Sequence, residues 1–233
     1  VLRRHGGVRR GVPGTAHVRR GAIRVRGGAE YAARGANETT MYEVRLANAG
    51  DLPAMYAIYR PYADGTTVSF EYGAPPAGVF AARIAALLPD WPVLVCTGGG
   101  EIVGYAYAAP AFERRAYAWC AELSVYVRED MRGRGVGSLL ERGICVLLKR
   151  LGYRRVYALI TEENAASISF HERAGYRKVA FFPEQGYKMG RWLGVVWLEK
   201  ALCGEECSAQ FPRSVSQLAD AAALLRETSE EPS

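Results

Sequence analysis

Residues 125–138 read Val-Tyr-Val-Arg-Glu-Asp-Met-Arg-Gly-Arg-Gly-Val-Gly-Ser. Three β-prone residues, Val125, Tyr126 and Val127, run into a glycine-rich turn. The turn opens onto residues 136–151, where Val136, Leu140, Ile144, Leu147, Leu148 and Leu151 recur at helical spacing before Gly152. Strand, turn and amphipathic helix follow one another without a break. Gly133, Gly135 and Gly137 let the main chain approach a ligand, because no Cβ stands in the way. Consecutive N–H groups at the helix start, reinforced by the helix dipole, then make an anion site. Arg132 and Arg134 add positive charge. The alternative is a plain glycine-rich loop with solvated arginines.

Outward from this unit, strands outnumber helices and mostly run consecutively, so a mixed α/β (α+β) sheet is expected rather than a doubly wound one. Alternation marks a strand over 42–46, and helical spacing marks helices over 51–62 and 75–88. A hairpin follows over 91–108 around Gly98-Gly99-Gly100, then a long strand over 117–127. Residues 155–160 form a strand, 165–174 a helix closed by Gly175, and 187–200 a final strand. The tail, 203–233, holds one short helical pattern on Leu218, Ala222 and Leu225, and 227–233 read as disordered.

The chain has 233 residues, enough for one domain with extensions. Its net charge of +6 is unevenly placed: residues 1–40 hold nine arginines against Glu30 and Glu38, so the rest is close to neutral. That excludes a generally basic nucleic-acid-binding body. Nucleic acid enters only through the arm, if at all. The arm, with eight glycines and no periodicity, reads as a disordered extension before Met41, or as an over-extended translation start. No apolar run approaches the ~18 residues of a membrane helix. Cys96, Cys120, Cys145, Cys203 and Cys207 form no paired framework and no zinc pattern. That usage fits a reducing cytoplasm, and no metal is expected.

Three phosphate-binding patterns compete for the glycine turn. The P-loop needs a Lys that is absent, and the dinucleotide pattern G-x-G-x-x-G fails at Ser138. The third, R-x-x-G-x-G, is met by Arg132, Gly135 and Gly137. It is the pyrophosphate loop of acetyl-CoA-dependent GNAT acetyltransferases. Further stretches agree in order: Gly104-Tyr105-Ala106-Tyr107-Ala108, Glu122-Leu123-Ser124-Val125-Tyr126-Val127, Asn164 through His171-Glu172 to Gly175-Tyr176, and Gly186-Tyr187-Lys188-Met189-Gly190-Arg191-Trp192. Over about 43–202 the chain resembles the GNAT superfamily, and within it the phosphinothricin N-acetyltransferase-like group.

The resemblance implies a GNAT fold over 41–202: a mostly antiparallel central sheet, flanked by helices and splayed between its fourth and fifth strands, with acetyl-CoA in the splay. It implies acetyl transfer to the amine of a small amino acid or toxic analogue, and a homodimer. Backbone of Val125, Tyr126 and Val127 would meet the pantetheine arm. Arg132, Gly133, Arg134, Gly135, Val136, Gly137 and Ser138 would hold the pyrophosphate, and Asn164 would contact CoA. Asn164 also reads as a helix N-cap.

Glu122 sits mid-strand among apolar neighbours. A partly buried carboxyl has a raised pKa, which suits a base that deprotonates an ammonium. The resemblance assigns Glu122 that role; a structural Glu paired with an arginine is the alternative. His171 stands where many GNAT enzymes carry Tyr, and the resemblance makes it the group that protonates the departing thiolate; a satisfied core histidine is the alternative. Arg114, Arg115 and Tyr117 precede Glu122 on a loop that touches the acceptor in related enzymes. Arginine suits bidentate binding of an acid group, and which of the two serves is left open. Tyr105, Tyr107, Trp119, Trp192 and Trp197 are expected in the core. Gly194 departs from relatives, which often carry an acidic residue there.

Overall fold

The architecture is a seven-stranded sheet with helices on both faces; this computed structural model describes residues 42–204 and 208–230, with the side chains of 229 and 230 excepted. The arm read over 1–40 lies outside the described residues. The strands are β1 (Tyr42–Leu46), β2 (Val93–Gly98), β3 (Glu101–Pro110), β4 (Cys120–Val127), β5 (Arg155–Thr161), β6 (Arg177–Lys188) and β7 (Arg191–Ala201). Their order is β1-β2-β3-β4-β5-β7-β6. All neighbours are antiparallel except β4 and β5, which run parallel. That one ladder covers only Cys120, Ala121 and Glu122, paired with Arg155, Val156 and Tyr157. Beyond Glu122 the two strands part, and the sheet becomes two wings joined at one end.

Period-two alternation builds a core on each face. On one, α1 (Leu52–Gly65) and α2 (Ala77–Ala85) bury Leu52, Met55, Ile58, Phe80 and Ile84 against Val93, Val95 and Tyr105. On the other, α3 (Val136–Leu151), α4 (Ala165–Arg173) and α5 (Ala221–Glu230) cover Leu94, Ala106, Leu123, Val156 and Leu198. Helix α3 starts at Gly135 and stops at Gly152, both left-handed, as its sequence pattern predicts.

Four expectations need correction. The strand expected from 117 begins at Cys120, because Arg115–Tyr117 forms a 3-10 turn. The single strand expected over 187–200 is a hairpin, β6 and β7, turning at Met189 and Gly190. β6 tolerates Pro183 and Gly186 because it is an edge strand with an irregularity between Phe182 and Gly186. The tail is no loose extension: Val215, Leu218, Ala221 and Leu225 are buried in the α3-side core, and α5 runs on to Glu230. Ala221 takes the inward place expected of Ala222, and Gly143 makes room for Leu225, whose Cδ2 stands 3.0 Å from where a Cβ would be. Finally, Cys203 is disulfide-bonded, while Cys96, Cys120 and Cys145 are free.

Tyr105 is core, but Trp192 is 60% exposed and Trp197 half-buried. Gly194 lies under the Phe181 ring, which would stand 2.6 Å from a Cβ, and its N–H donates to Glu162 at 2.9 Å. Among the described residues no helix is long and apolar enough to cross a membrane, and no cluster of three metal-ligating side chains occurs.

Candidate active site

The site grows from the fork. Arg128 N–H bonds Val103 O at 2.9 Å across β3 and β4. By antiparallel alternation, residues 122, 124 and 126 turn their backbone groups to β3, and 123, 125 and 127 turn theirs to the β5 side. Past Glu122 no strand meets them there. The Val127 carbonyl is taken by the Tyr62 hydroxyl from α1, which leaves the N–H groups of Val125 and Val127 on the open edge. Tyr126 is not brought to that edge. Its backbone faces β3, and its ring stacks on Tyr105 at 5.2 Å in the α1-side core.

At the end of the fork lies the glycine turn. Gly133 and Gly135 hold φ of 72° and 83°, which L side chains resist, so the turn geometry itself requires glycine. Leu139 N–H is the first to bond back, to Gly135 O at 3.1 Å; the N–H groups of Val136, Gly137 and Ser138 precede the helix ladder and point out from its end. Gly137 packs near the Phe170 ring of α4, and the Val136 side chain is buried. Arg132 is turned away to α1: its Nε donates to the Tyr62 hydroxyl at 3.2 Å, with the guanidinium 5.0 Å above the ring centroid. Arg134 is exposed on the turn. A cavity of about 440 Å3 opens between α1 and residues 128–132, lined by Ile58, Pro61, Tyr62, Thr66, Arg128 and Arg132.

Glu122 stands at the point of separation, on the α1 and α2 face, with Tyr157 directly across on β5. It has no hydrogen-bond or ion-pair partner among the described residues, and burial raises its carboxyl above the usual range. The structural pairing with an arginine does not occur. Tyr157, its partner across the ladder, belongs to an aromatic cluster centred on Phe112, which lies 4.8 Å from Tyr117, 5.9 Å from Tyr157 and 6.0 Å from Trp197. The two arginines part company. Arg115 lies 4.5 Å above the Phe211 ring of the tail, while Arg114 is exposed and without an ion pair among the described residues.

His171 belongs to the opposite face. Asn164 caps α4, its side-chain oxygen accepting from Ser167 N–H at 3.2 Å. One turn on, His171 is buried between Phe170 and Tyr176, with ring centroids 4.8 and 5.0 Å away. Its Nδ1 lies 2.8 Å from Ser167 O, and a carbonyl only accepts, so Nδ1 carries the proton. Nε2 is then the lone-pair nitrogen, buried and without a hydrogen-bond partner among the described residues. Burial holds the ring below the usual histidine pKa. Nearby, buried Glu141 pairs with Lys200 at 2.8 Å and accepts from the Cys145 thiol at 3.0 Å.

Sequence reasoning passed over Tyr62, Phe112, Tyr157 and Lys188. Lys188 is buried on β6, and its ammonium donates to Ala63 O at 2.8 Å and Ser69 O at 2.7 Å, tying one wing to the end of α1 on the other. The Gly186-to-Trp192 stretch contained it, but nothing local marks a buried cation.

Comparison with known proteins bears on this geometry. The family described as "Acetyltransferase (GNAT) domain" matches residues 44–197. Phosphinothricin N-acetyltransferase of Alcaligenes faecalis is 34% identical over 161 residues, covering 68% of this chain and 82% of its own. The L-methionine sulfoximine/L-methionine sulfone acetyltransferase of Pseudomonas aeruginosa is 32% identical over 158 residues, 67% of this chain and 92% of its own. Among solved structures, a GNAT superfamily phosphinothricin acetyltransferase of Sinorhizobium meliloti in complex with AcCoA is 29% identical, with a TM-score of 0.69 over 74% of this chain and 93% of that one. In sequence and in fold the likeness runs through the body of the molecule, and the chain belongs to the GNAT acetyltransferase family.

Proposed function

We propose that this enzyme acetylates the amine of a small free amino acid, or of a toxic analogue of the phosphinothricin or methionine sulfone type, by direct attack on acetyl-CoA. The observation that carries the reading is Glu122, a desolvated carboxyl without a partner where β4 leaves β5. An amine arrives as an ammonium and must lose a proton before it attacks. A carboxyl of raised pKa takes that proton, directly or through a water.

The other residues follow from their positions. The free N–H groups of Val136, Gly137 and Ser138, with the Gly133–Gly135 turn and Arg134, fit a pyrophosphate. The N–H groups of Val125 and Val127 fit the carbonyls of a pantetheine arm lying along the open edge. Asn164 contributes its amide nitrogen, since its oxygen is committed to the cap. Arg114 takes the acceptor's acid group bidentately, with Tyr117 beside it. His171, when protonated at Nε2, releases that proton to the departing sulfur, and its lowered pKa makes the charged ring the stronger acid.

Two coarser readings accompany this one. The β5–β7–β6 wing leaves Leu159 and Phe182 exposed on the Glu122 face, and Trp192 exposed near the hairpin turn, which supports a homodimer, checked by sedimentation. A cytoplasmic location is proposed on the supply of acetyl-CoA.

The test is thiol release from acetyl-CoA with phosphinothricin, L-methionine sulfone, the free amino acids, an aminoglycoside and a lysine peptide. Turnover confined to the amino-acid group is expected. Binding of acetyl-CoA without turnover of any amine would replace the enzyme reading with that of an acyl-CoA sensor.

A further inference from the structure

The tail reaches back to the loop in front of Glu122. Phe211 stacks on Trp119, ring centroids 4.9 Å apart and planes at 22°, and the Arg115 guanidinium lies 4.5 Å above its centroid. The Trp119 indole N–H donates to Gln210 O at 2.8 Å. Trp119 itself leads into β4, and its carbonyl accepts from the N–H groups of Arg154 at 2.9 Å and Arg155 at 3.2 Å, just ahead of and at the start of β5. The loop of residues 112–119 is thus gripped at two points by a segment outside the 44–197 that match the family.

The segment that grips is itself fixed. Arg213 N–H bonds Leu151 O at 3.0 Å, the Ser214 hydroxyl meets Asp90 at 2.6 Å, and Val215 and Leu218 are buried behind them. Phe211 is nevertheless 50% exposed. A half-exposed ring is a poor anchor for the fold, yet it commits one of two adjacent arginines and leaves the other available.

We infer that Phe211 is a positioning residue for the acceptor: through Arg115 and Trp119 it sets the 112–119 loop so that Arg114 and Tyr117 face the incoming acid group. The inference rests on the reading of that loop as the acceptor's binding element. Phe211 touches neither acceptor nor acetyl-CoA, so its removal loosens binding of the first and leaves the second alone.

The experiment is steady-state kinetics on the full chain, with acetyl-CoA and L-methionine sulfone varied separately, in Phe211→Ala, Phe211→Trp, Arg115→Ala, the Phe211→Ala/Arg115→Ala double variant and Arg114→Ala. Phe211→Ala is expected to raise KM for L-methionine sulfone roughly threefold to tenfold, the scale of a stacked and cation–π contact. Its kcat, KM for acetyl-CoA and Tm should stay as in the wild type, and Phe211→Trp should restore the KM. The double variant should be no worse than Phe211→Ala alone, because the Arg115 contact is already lost with the ring. An unchanged acceptor KM in Phe211→Ala overturns the inference; if Arg114→Ala raises KM in the same series, the loop reading survives without it. An equal loss of acceptor and acetyl-CoA binding also overturns it, as general loosening. A raised acceptor KM in Phe211→Ala beside a silent Arg114→Ala supports the tail's role and removes the arginine clamp.

Discussion

Glu122 and His171 stand on opposite faces of one sheet. Glu122 alternates with Ala121 and Leu123, which belong to the α3-side core, so its own side chain points to the α1 side. His171 packs on Tyr176 within that α3-side core. Between them the sheet is open at the fork past Glu122, where no backbone pairing joins β4 to β5. On the reading proposed above, a thioester threaded there would have Glu122 on one side and His171 on the other. The two cannot neutralise each other by direct contact.

Replacing the base should separate activity from stability. Glu122→Gln is expected to lower kcat by ~10²–10⁴-fold, the usual span for a general base, with acetyl-CoA affinity kept. A folded-state pKa above the unfolded value means the native state holds a proton the unfolded chain has released, so Glu122 costs stability as pH rises through that window. The Gln variant should therefore melt higher than the wild type at pH 7, and the gap should close below pH 4.5, the ordinary value. A thermal melt series against pH, run beside the kinetics, checks both halves.

His171 carries the opposite sign. Its folded pKa lies below 6.5, so in acid the unfolded chain takes up a proton that the native state refuses. Wild-type stability should fall as pH drops through 6.5. In His171→Phe, with an aromatic ring kept between Phe170 and Tyr176, that fall should flatten and kcat should drop. An acid sensitivity identical in both proteins would place the titration elsewhere.

Gly135→Val is expected to abolish acetyl-CoA binding while the protein stays folded. Nothing lies within 4 Å of a Cβ at Gly135, so there is no clash with the core. The penalty comes from φ of 83°, about 1–2 kcal/mol for an L residue and more for a branched one, which pulls the turn away from its anion geometry. Calorimetric titration showing wild-type affinity would remove the turn from the site.

Arg114→Ala should raise the acceptor's KM by roughly tenfold or more, as a charge-assisted bond of ~1.5–3 kcal/mol is lost. Converting the acceptor's acid group to an amide should do the same in the wild type and add little in the variant. Acid and amide handled equally by both proteins would reopen the choice of acceptor.

Leu225→Ala, far from any chemistry, should destabilise the whole domain by ~2–5 kcal/mol, the cost of a large-to-small change in a core. Leu225 is 2% exposed against the helix that starts at the glycine turn. Denaturant unfolding in one transition, at a lower midpoint, is the expected record.

What was legible in the sequence follows from how far apart the cooperating residues lie. Helix α3 and its glycine turn were plain, because spacing, stop and turn all lie within one stretch. The separation of β4 from β5 was available only through the resemblance, since no strand announces where its neighbour leaves it. Strand β6 is hard to read because Pro183 and Gly186 interrupt its pattern, and only its edge position and bulge make room for them. The tail was misjudged because Val215, Leu218, Ala221 and Leu225 make sense only against a groove at Gly143. Arg114 and Arg115 were indistinguishable because the ring that separates them is Phe211, far along the chain.

Lys188 makes the molecule something like a clothes-peg fastened at both ends. At one end three residue pairs form the spring; at the other the Lys188 ammonium holds Ala63 and Ser69 across the gap, the Thr67 hydroxyl donates to Glu163 at 3.2 Å, and Phe70 is wedged against Gly186. These ties would set the aperture before any guest arrives. A slot so held would admit a slender chain without a jaw that must first open. It also fixes how bulky an acyl group can ride on that chain, so fidelity for a two-carbon unit would be written as much in a buried cation at the rim as in the side chains that meet the acyl group itself.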